Sequence, residues 1–172
     1  MNEIKLLQPF FNQPMKKYGV RELSRFANVD TKTVMKYLHI YTNRGILLKQ
    51  KEKGKFPYYE ANRISLSYRH AKSEIIIQKI IESGLVEYLE KELSPEAIVL
   101  FGSIQKGTYH SESDVDIFVQ GNYKRLDLSK FQKKIGHEIR LLFENELRNL
   151  SKGLLENIYN GMVLAGKIGV VS

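Results

Sequence analysis

Two apolar runs in the second half of the chain predict a pair of buried strands. The first, Ala97–Phe101, is continuous and is followed by the pair Gly102-Ser103. The second run covers residues 115–119, with Asp114 just before it and Asp116 at its second position. Short apolar runs bounded by turn residues are typical of buried strands. Residues two apart on a strand point the same way, so the pattern predicts both carboxylates on one face.

The first third of the chain has helical spacing of apolar residues, followed by two short extended pieces. Aspartate or threonine at 30–31 is suited to cap a helix, and Arg44-Gly45 is suited to end it. The glycine of Lys53-Gly54-Lys55 suits a hairpin connection. The pattern predicts helices over residues 2–11, 20–27 and 30–43, and extended pieces over residues 46–52 and 56–61.

The remaining segments also alternate between helical and extended patterns. Apolar residues recur at helical spacing over residues 65–92, where Ser94-Pro95 then breaks the helix. A third strand is predicted over residues 137–143, and a helical stretch, broken near residue 152, over 144–159. The closing segment 161–167 is expected to be a short strand or a helix end.

Charge separates the two parts of the chain more clearly than composition does. Residues 1–66 carry thirteen Lys or Arg against five Asp or Glu, whereas residues 67–172 carry fourteen of each. The whole net charge of +8 therefore belongs to the first part, which favours a polyanionic partner there. A merely solubilising surface is the alternative reading.

Several classes of protein are disfavoured by the sequence. There are no cysteines, which excludes disulfides and thiolate metal sites. No apolar stretch approaches the length of a membrane span, and the first residues lack the apolar segment of a signal peptide. We therefore expect a cytoplasmic protein with no membrane partner.

The chemistry predicted for the Gly-Ser turn and the two aspartates is phosphoryl or nucleotidyl transfer. A tight turn at Gly102-Ser103 offers backbone N–H groups and a hydroxyl to a phosphate. Asp114 and Asp116 would hold Mg²⁺ beside it. An isolated Asp-x-Asp is weak evidence by itself, because solvated acidic turns are common.

The spacing of these residues resembles the signature of the DNA polymerase β superfamily, in particular its minimal nucleotidyltransferases. Ten residues separate Gly102-Ser103 from Asp114, and Lys106-Gly107 and Ser113 also fit that pattern. The resemblance extends from about Pro95 to Val171. It implies a small mixed sheet flanked by helices, two Mg²⁺ ions, and a nucleoside triphosphate held by the residues Gly102, Ser103 and Lys106.

One residue departs from the pattern of that superfamily. A third carboxylate is expected on the following strand, where this chain has Arg140. A guanidinium does not bind a metal ion and would instead neutralise nearby aspartates. Glu138 is the candidate replacement and Glu112 a weaker one. His110 is expected to be exposed, and His137 to be structural.

The first part of the chain resembles a winged helix-turn-helix DNA-binding domain over residues 2–62. The similarity is carried by Arg21-Glu22-Leu23-Ser24, by the segment 29–34 and by Arg44-Gly45-Ile46-Leu47. It implies base contacts from the third helix, through Thr31, Lys32, Thr33, Lys36 and Tyr37. It also implies phosphate contacts from the wing, through Lys49, Lys51, Lys53 and Lys55. Docking of a protein is the alternative use of such a domain.

Together these features predict an α+β protein of two domains. Residues 1–64 are expected to form the winged helix-turn-helix, and residues 65–172 the nucleotidyltransferase domain, with residues 65–94 as its leading helical segment. The predicted function is a DNA-binding nucleotidyltransferase that moves AMP from ATP to a hydroxyl of a partner macromolecule. Double-stranded DNA, a toxin protein and a second copy of the chain are the expected partners. The alternative is a transcriptional regulator whose transferase-like domain senses nucleotide or dimerises without catalysis.

Overall fold

The computed structural model describes residues 2–169, with side chains from Lys5 onward. Residues 170 and 171, at the end of the predicted resemblance, lie outside the described residues. The fold is of the α+β class, with helices and two separate small sheets. The described chain divides into two compact units, one ending at Lys72 and the other starting at Ser73. This division falls inside a helix, whereas the sequence-based boundary after residue 64 precedes that helix.

The first unit contains three helices and a three-stranded antiparallel sheet. The predicted helices and hairpin are confirmed at the expected positions, and the short strand β1 was not anticipated. The strand order is β1-β3-β2, so that the last strand lies in the middle. The elements are α1 (Asn2–Asn12), β1 (Tyr18–Gly19), α2 (Val20–Ala27), α3 (Thr31–Asn43), β2 (Leu47–Gln50) and β3 (Tyr58–Ala61).

Local chemistry explains where α3 begins and which face it buries. The Asp30 side chain caps the helix, accepting hydrogen bonds from the Thr33 backbone N–H at 2.9 Å and from its hydroxyl at 2.6 Å. Val34, Leu38 and Tyr41 recur at helical spacing and are buried. The opposite face of α3 is therefore left to solvent.

The second unit combines a four-stranded sheet with short helices. The long helix predicted over residues 65–92 is divided at Gly84, which has a φ of +79° that a continuous helix does not accommodate. Helices α6 and α7 were not anticipated. The elements are α4 (Leu66–Ser83), which spans the division between the units, α5 (Leu85–Leu93), β4 (Ala97–Phe101), α6 (Gly102–Lys106), β5 (Val115–Gln120), α7 (Ser129–Ile135), β6 (Ile139–Glu144), a 3₁₀ turn (Leu147–Asn149), α8 (Lys152–Tyr159) and β7 (Met162–Gly166).

The sheet of the second unit has the order β6-β5-β4-β7 and is mixed. Strand β4 runs antiparallel to both neighbours, whereas β5 and β6 are parallel. Ile117 belongs to the larger core cluster on one face, and Phe118 packs with Ile158 of α8 on the other. Asp116 lies two residues before Phe118 on β5, so its carboxylate projects from the same face of the sheet, which α8 covers.

Candidate functional site

The two aspartates of the predicted signature lie together at one end of β5. Asp114 immediately precedes the strand and Asp116 is its second residue, so both side chains project from the same face. Both are largely buried, with side-chain exposures of 27% and 24%. The predicted sharing of one face is confirmed by this placement.

Arg140 lies directly beside this pair. The parallel register of β5 and β6 places Arg140 opposite Asp116. Its guanidinium donates a hydrogen bond to Asp114 Oδ2 and lies 4.0 Å from Asp116 Oδ1. The site thus contains two carboxylates and one guanidinium, and the positive charge is bound mainly to Asp114.

The electrostatic balance at Asp116 differs from that of a simple ion pair. Burial raises the pKa of the Asp116 carboxyl above its ordinary value, Arg140 acts to lower it, and the neighbouring Asp114 acts to raise it. Desolvation therefore outweighs the attraction of the guanidinium at this position. A cation brought to the Asp116 carboxylate would relieve this unfavourable burial of charge.

Gly102 directly follows the neighbouring strand β4 and lies against the Asp116 carboxylate. It begins α6 with a φ of +79°, a conformation that favours glycine. A β-carbon added there would lie 2.6 Å from Asp116 Oδ2. Glycine is thus required both by the backbone conformation and by the close approach of the carboxylate. The predicted tight turn is present, and it continues into a helix of one turn.

The other predicted phosphate-binding residues belong to the same short helix. Ser103 is partly buried on α6, and Lys106 is exposed at its end. The Lys106 ammonium donates a hydrogen bond of 2.8 Å to the Asn157 side-chain oxygen on α8. Asn157 was not identified from the sequence, because nothing local links it to a residue 51 positions earlier. Its contact with Lys106 adds it to the candidate site residues.

The two candidate replacements for the third carboxylate lie at a cavity whose lining includes Ser113 but neither of the two aspartates. Glu112 and Glu138 both line this cavity of about 280 Å³, together with His137. His137 Nδ1 is 2.8 Å from the backbone oxygen of Ser113, and its ring packs edge-on against Tyr109. This contact fits the expected structural role of His137, since Ser113 directly precedes Asp114. Arg140, rather than Glu138, is the residue in contact with the aspartates.

The donor set fits one divalent cation better than two. Asp114 and Asp116 offer carboxylate oxygens on a single face, which is the ligand type that Mg²⁺ prefers. Within residues 2–169, however, no group of three or more His, Asp or Glu side chains is arranged to hold a metal. Arg140 also already contacts Asp114. The two-ion arrangement therefore stays a prediction.

The residues predicted to contact DNA from α3 separate into two groups. Thr31, Lys32 and Lys36 are exposed. Thr33 is occupied by the cap with Asp30, and Tyr37 is partly buried and stacked on Tyr41 with ring centroids 6.2 Å apart. The helix therefore presents fewer of the predicted side chains to solvent than the sequence suggested.

The predicted wing is basic and exposed. Lys49 belongs to β2 and the other three lysines expected to meet phosphates follow it before β3, and all four are exposed: Lys49, Lys51, Lys53 and Lys55. Lys55 also pairs with Glu52 at 2.5 Å, so part of its charge is already compensated. An exposed aromatic residue of the same segment, Phe56, has the Arg21 guanidinium 5.9 Å from its ring centroid. Neither Phe56 nor Arg21 was predicted as a contact residue.

The second unit therefore has the features of a nucleotidyl-transfer fold: paired carboxylates on a mixed sheet beside a glycine turn. A family model described as Polymerase beta, Nucleotidyltransferase matches residues 78–167, just over half of the chain. The chain belongs to this family, and membership indicates nucleotidyl transfer as the general chemistry of the second unit. No curated protein and no solved structure matches the chain.

Neither the winged helix-turn-helix nor an antitoxin is named by the family match, which begins at residue 78. Both therefore stay predictions. In the part of the chain that the structure describes, no helix combines the length and the apolar character needed to cross a membrane.

Proposed function

We propose that this protein is a DNA-binding nucleotidyltransferase that moves a nucleoside monophosphate, AMP from ATP, to a hydroxyl of a partner macromolecule. One observation carries the proposal: Asp114 and Asp116 lie together beside Arg140, with Asp116 against Gly102, within the segment that matches the family. The identity of the nucleotide and of the acceptor are parts of the proposal that go beyond the family match.

The proposed roles follow from the position of each group. Backbone N–H groups at Gly102 and Ser103 would hold the β- and γ-phosphates, and Lys106 would add a positive charge beside them. Asp114 and Asp116 would hold Mg²⁺, which when bound supplies compensation for the charge on the phosphates.

The reaction itself is a substitution at the α-phosphorus. The acceptor oxygen forms a bond to that phosphorus, the bond to the bridging oxygen of the β-phosphate breaks, and pyrophosphate leaves. The proton of the acceptor hydroxyl needs a base, and Glu138, at the cavity that Ser113 also lines, is the proposed one. Because Arg140 rather than Glu138 contacts the aspartates, this role requires the acceptor hydroxyl to come within reach of Glu138.

The DNA-binding part of the proposal is supported by the first unit. Its elements follow the order helix, short strand, two helices and a two-stranded hairpin, which agrees with the winged helix-turn-helix resemblance. The excess of basic residues lies in the same part of the sequence. In this proposal α3 enters the major groove, and the lysines of the wing contact phosphates.

The proposed biological partners extend this scheme. A minimal nucleotidyltransferase that binds an operator fits the antitoxin of a toxin–antitoxin pair in the cytoplasm, with the toxin protein as acceptor of AMP. A homodimer would match a palindromic operator. Incubation with labelled ATP and the product of a neighbouring gene tests the acceptor, and light scattering of the complex with DNA tests the dimer.

The decisive experiment on the second unit is calorimetric titration of ATP with and without Mg²⁺. We expect binding that needs both Mg²⁺ and Asp116, so Asp116→Ala abolishes it. Asp127→Ala is the matched control, since Asp127 instead accepts a hydrogen bond from the Ser129 backbone N–H. Transfer activity that survives the double substitution Asp114→Ala and Asp116→Ala would refute the assignment of the site.

The salt dependence of binding to duplex DNA tests the first unit. Each phosphate contact contributes about 0.9 to the slope of log affinity against log salt concentration. Replacing three wing lysines by alanine is expected to weaken binding and to reduce this slope: Lys51, Lys53 and Lys55. The control replaces three exposed lysines of the second unit: Lys91, Lys133 and Lys152. Equal effects of the two sets, or none, would contradict the proposed wing.

The contact between Arg140 and Asp114 favours a second candidate function. In this alternative the protein is a transcriptional regulator whose second unit binds nucleotide, or dimerises, without turnover. Arg140 would then supply the compensating charge that a metal ion supplies in the first candidate. ATP binding that is indifferent to Mg²⁺ and to Asp116, together with sequence-specific DNA binding, would select this alternative.

A further inference from the structure

The exposed face of α3 forms a continuous stripe that differs from the set of residues predicted from the sequence. Positions three, four and seven apart share one side of a helix. The stripe is exposed along its length and lies opposite the buried Val34 and Leu38. Its members are Lys32, Met35, Lys36, His39 and Asn43.

Three of the five α3 residues predicted to contact DNA lie outside this stripe: Thr31, Thr33 and Tyr37. Thr33 is engaged by the helix cap and Tyr37 by stacking on Tyr41, so their side chains serve the fold. Met35 and His39 occupy the exposed positions between and beyond the two lysines instead. Met35 is 50% exposed.

His39 and Asn43 are joined by a hydrogen bond that defines what His39 offers to a partner. The Asn43 side-chain N–H donates to His39 Nε2 at 3.1 Å. A neutral imidazole that accepts at Nε2 carries its hydrogen on Nδ1. The exposed His39 side chain therefore keeps one N–H donor, and the Asn43 side-chain oxygen is kept as an acceptor.

We infer that Met35 and His39 determine the DNA sequence preference of this protein, an inference that rests on the proposed DNA binding. Charge complementarity favours duplex DNA as the occupant of the stripe, since Lys32 and Lys36 flank Met35 in a unit with a large basic excess. In the major groove an apolar side chain contacts the thymine methyl group, and an N–H donor binds purine N7 or guanine O6. Met35 and His39 supply this pair of functions one turn apart.

The test begins with selection of bound sequences from a random duplex pool by the full-length chain. Fluorescence anisotropy then compares the selected duplex with a scrambled duplex of the same composition. Met35→Ala and His39→Ala are each expected to weaken binding to the selected duplex at least about fivefold. Binding to the scrambled duplex is expected to stay unchanged.

Two control variants separate base contacts from other effects. Met15→Ala removes a methionine that is 73% exposed outside the stripe and should change neither affinity. Lys36→Ala removes a charge and should weaken binding to both duplexes. Repeating the selection with Met35→Ala should relax the preferred sequence at a single base pair, and far-UV circular dichroism checks that each variant is folded.

The outcomes distinguish this inference from the proposed function. If the wild-type chain binds neither duplex at low salt, the proposed DNA binding fails and the inference fails with it. If the wild-type chain binds DNA but Met35→Ala and His39→Ala keep the same preference, only the inference is overturned. An equal loss of affinity for the two duplexes in these variants also overturns it.

Discussion

Replacing Gly102 by alanine should separate the requirements of the nucleotide site from those of the fold. The substitution places a β-carbon 2.6 Å from Asp116 Oδ2, and an ordinary contact begins at 3.4 Å, so the carboxylate must move away. A displaced carboxylate holds the Mg²⁺ ion less well, and the ion in turn holds the phosphates of the nucleotide. We expect the affinity for ATP in the presence of Mg²⁺ to fall at least about tenfold, or about 1.4 kcal/mol.

Gly84→Ala is the matched control for this substitution. Gly84 has the same φ of +79°, but a β-carbon there meets nothing within 4 Å. The left-handed conformation costs a residue with a side chain about 1–2 kcal/mol in either place. The lower entropy of the unfolded chain offsets about 0.4–1 kcal/mol of this cost. Both variants should therefore lose a similar free energy of unfolding from the backbone alone.

Urea unfolding and calorimetric titration of ATP measure the two quantities on the same protein samples. The reasoning requires Gly84→Ala to lose stability but to keep the nucleotide affinity, and Gly102→Ala to lose both. An unchanged affinity in Gly102→Ala would show that the contact with Asp116 has no role in binding. An equal loss of affinity in the two variants would attribute the effect to general destabilisation.

Three further sets of substitutions test the charge, the buried hydroxyl and the packing of the structure. Arg140→Asp should raise the affinity for Mn²⁺ at least about tenfold, because it adds a third carboxylate beside the aspartates. Arg148→Asp is the control, since Arg148 is exposed, and it should leave the affinity for Mn²⁺ unchanged. Equal affinities in the two variants would refute the assigned position of residue 140. Burial raises the pKa of Tyr68 to about 12, so as the pH rises the unfolded chain loses this proton before the folded chain does. The free energy of unfolding measured in urea should therefore fall by about 1.4 kcal/mol per pH unit above pH 10. Tyr68→Phe should make this fall shallower, while Tyr18 and Tyr59, whose pKa values burial also raises, keep part of it; a slope unchanged from that of the wild-type chain would contradict the assignment. Gly153→Ala, where the added β-carbon on α8 meets open space, should raise the free energy of unfolding by about 1 kcal/mol. Gly161→Ala should lower it, because the added β-carbon would lie 2.7 Å from a backbone oxygen. Thermal melts that rank the two variants in the opposite order would contradict this packing.

Elements with strong local signals were predictable from the sequence. The helix over residues 20–27 and strand β4 have the predicted bounds, and α3 starts beside the predicted cap at Asp30. These elements combine regular apolar spacing with a recognisable start or end. The division at Gly84 and the helix at residues 129–135 were not predicted. In that helix two buried apolar residues stand among three lysines, so the amphipathic pattern is short.

The site was predictable only where neighbours in sequence determine it. Alternation along a strand is enough to place Asp114 and Asp116 on one face. The contact of Lys106 with Asn157 joins elements far apart in the chain, and its formation depends on how α8 packs on the sheet. The involvement of Thr33 and Tyr37 in the cap and in stacking likewise reduces the predicted DNA-contact set, although helix periodicity alone places them near its surface.

The register between β5 and β6 makes residue 140 the position that controls the charge of the site. Parallel pairing places residue 140 opposite Asp116, so any side chain there faces the aspartates. Glu138 lies two residues before Arg140, so alternation along the strand would place it on the same face, but it precedes β6. Its backbone oxygen accepts a hydrogen bond from the Val115 N–H. A carboxylate at 140 would add a third acidic side chain, whereas the guanidinium pairs with Asp114, and burial keeps the pKa of Asp116 raised despite Arg140. The choice between transfer and binding without turnover thus depends on whether nucleotide and Mg²⁺ can displace Arg140 from Asp114.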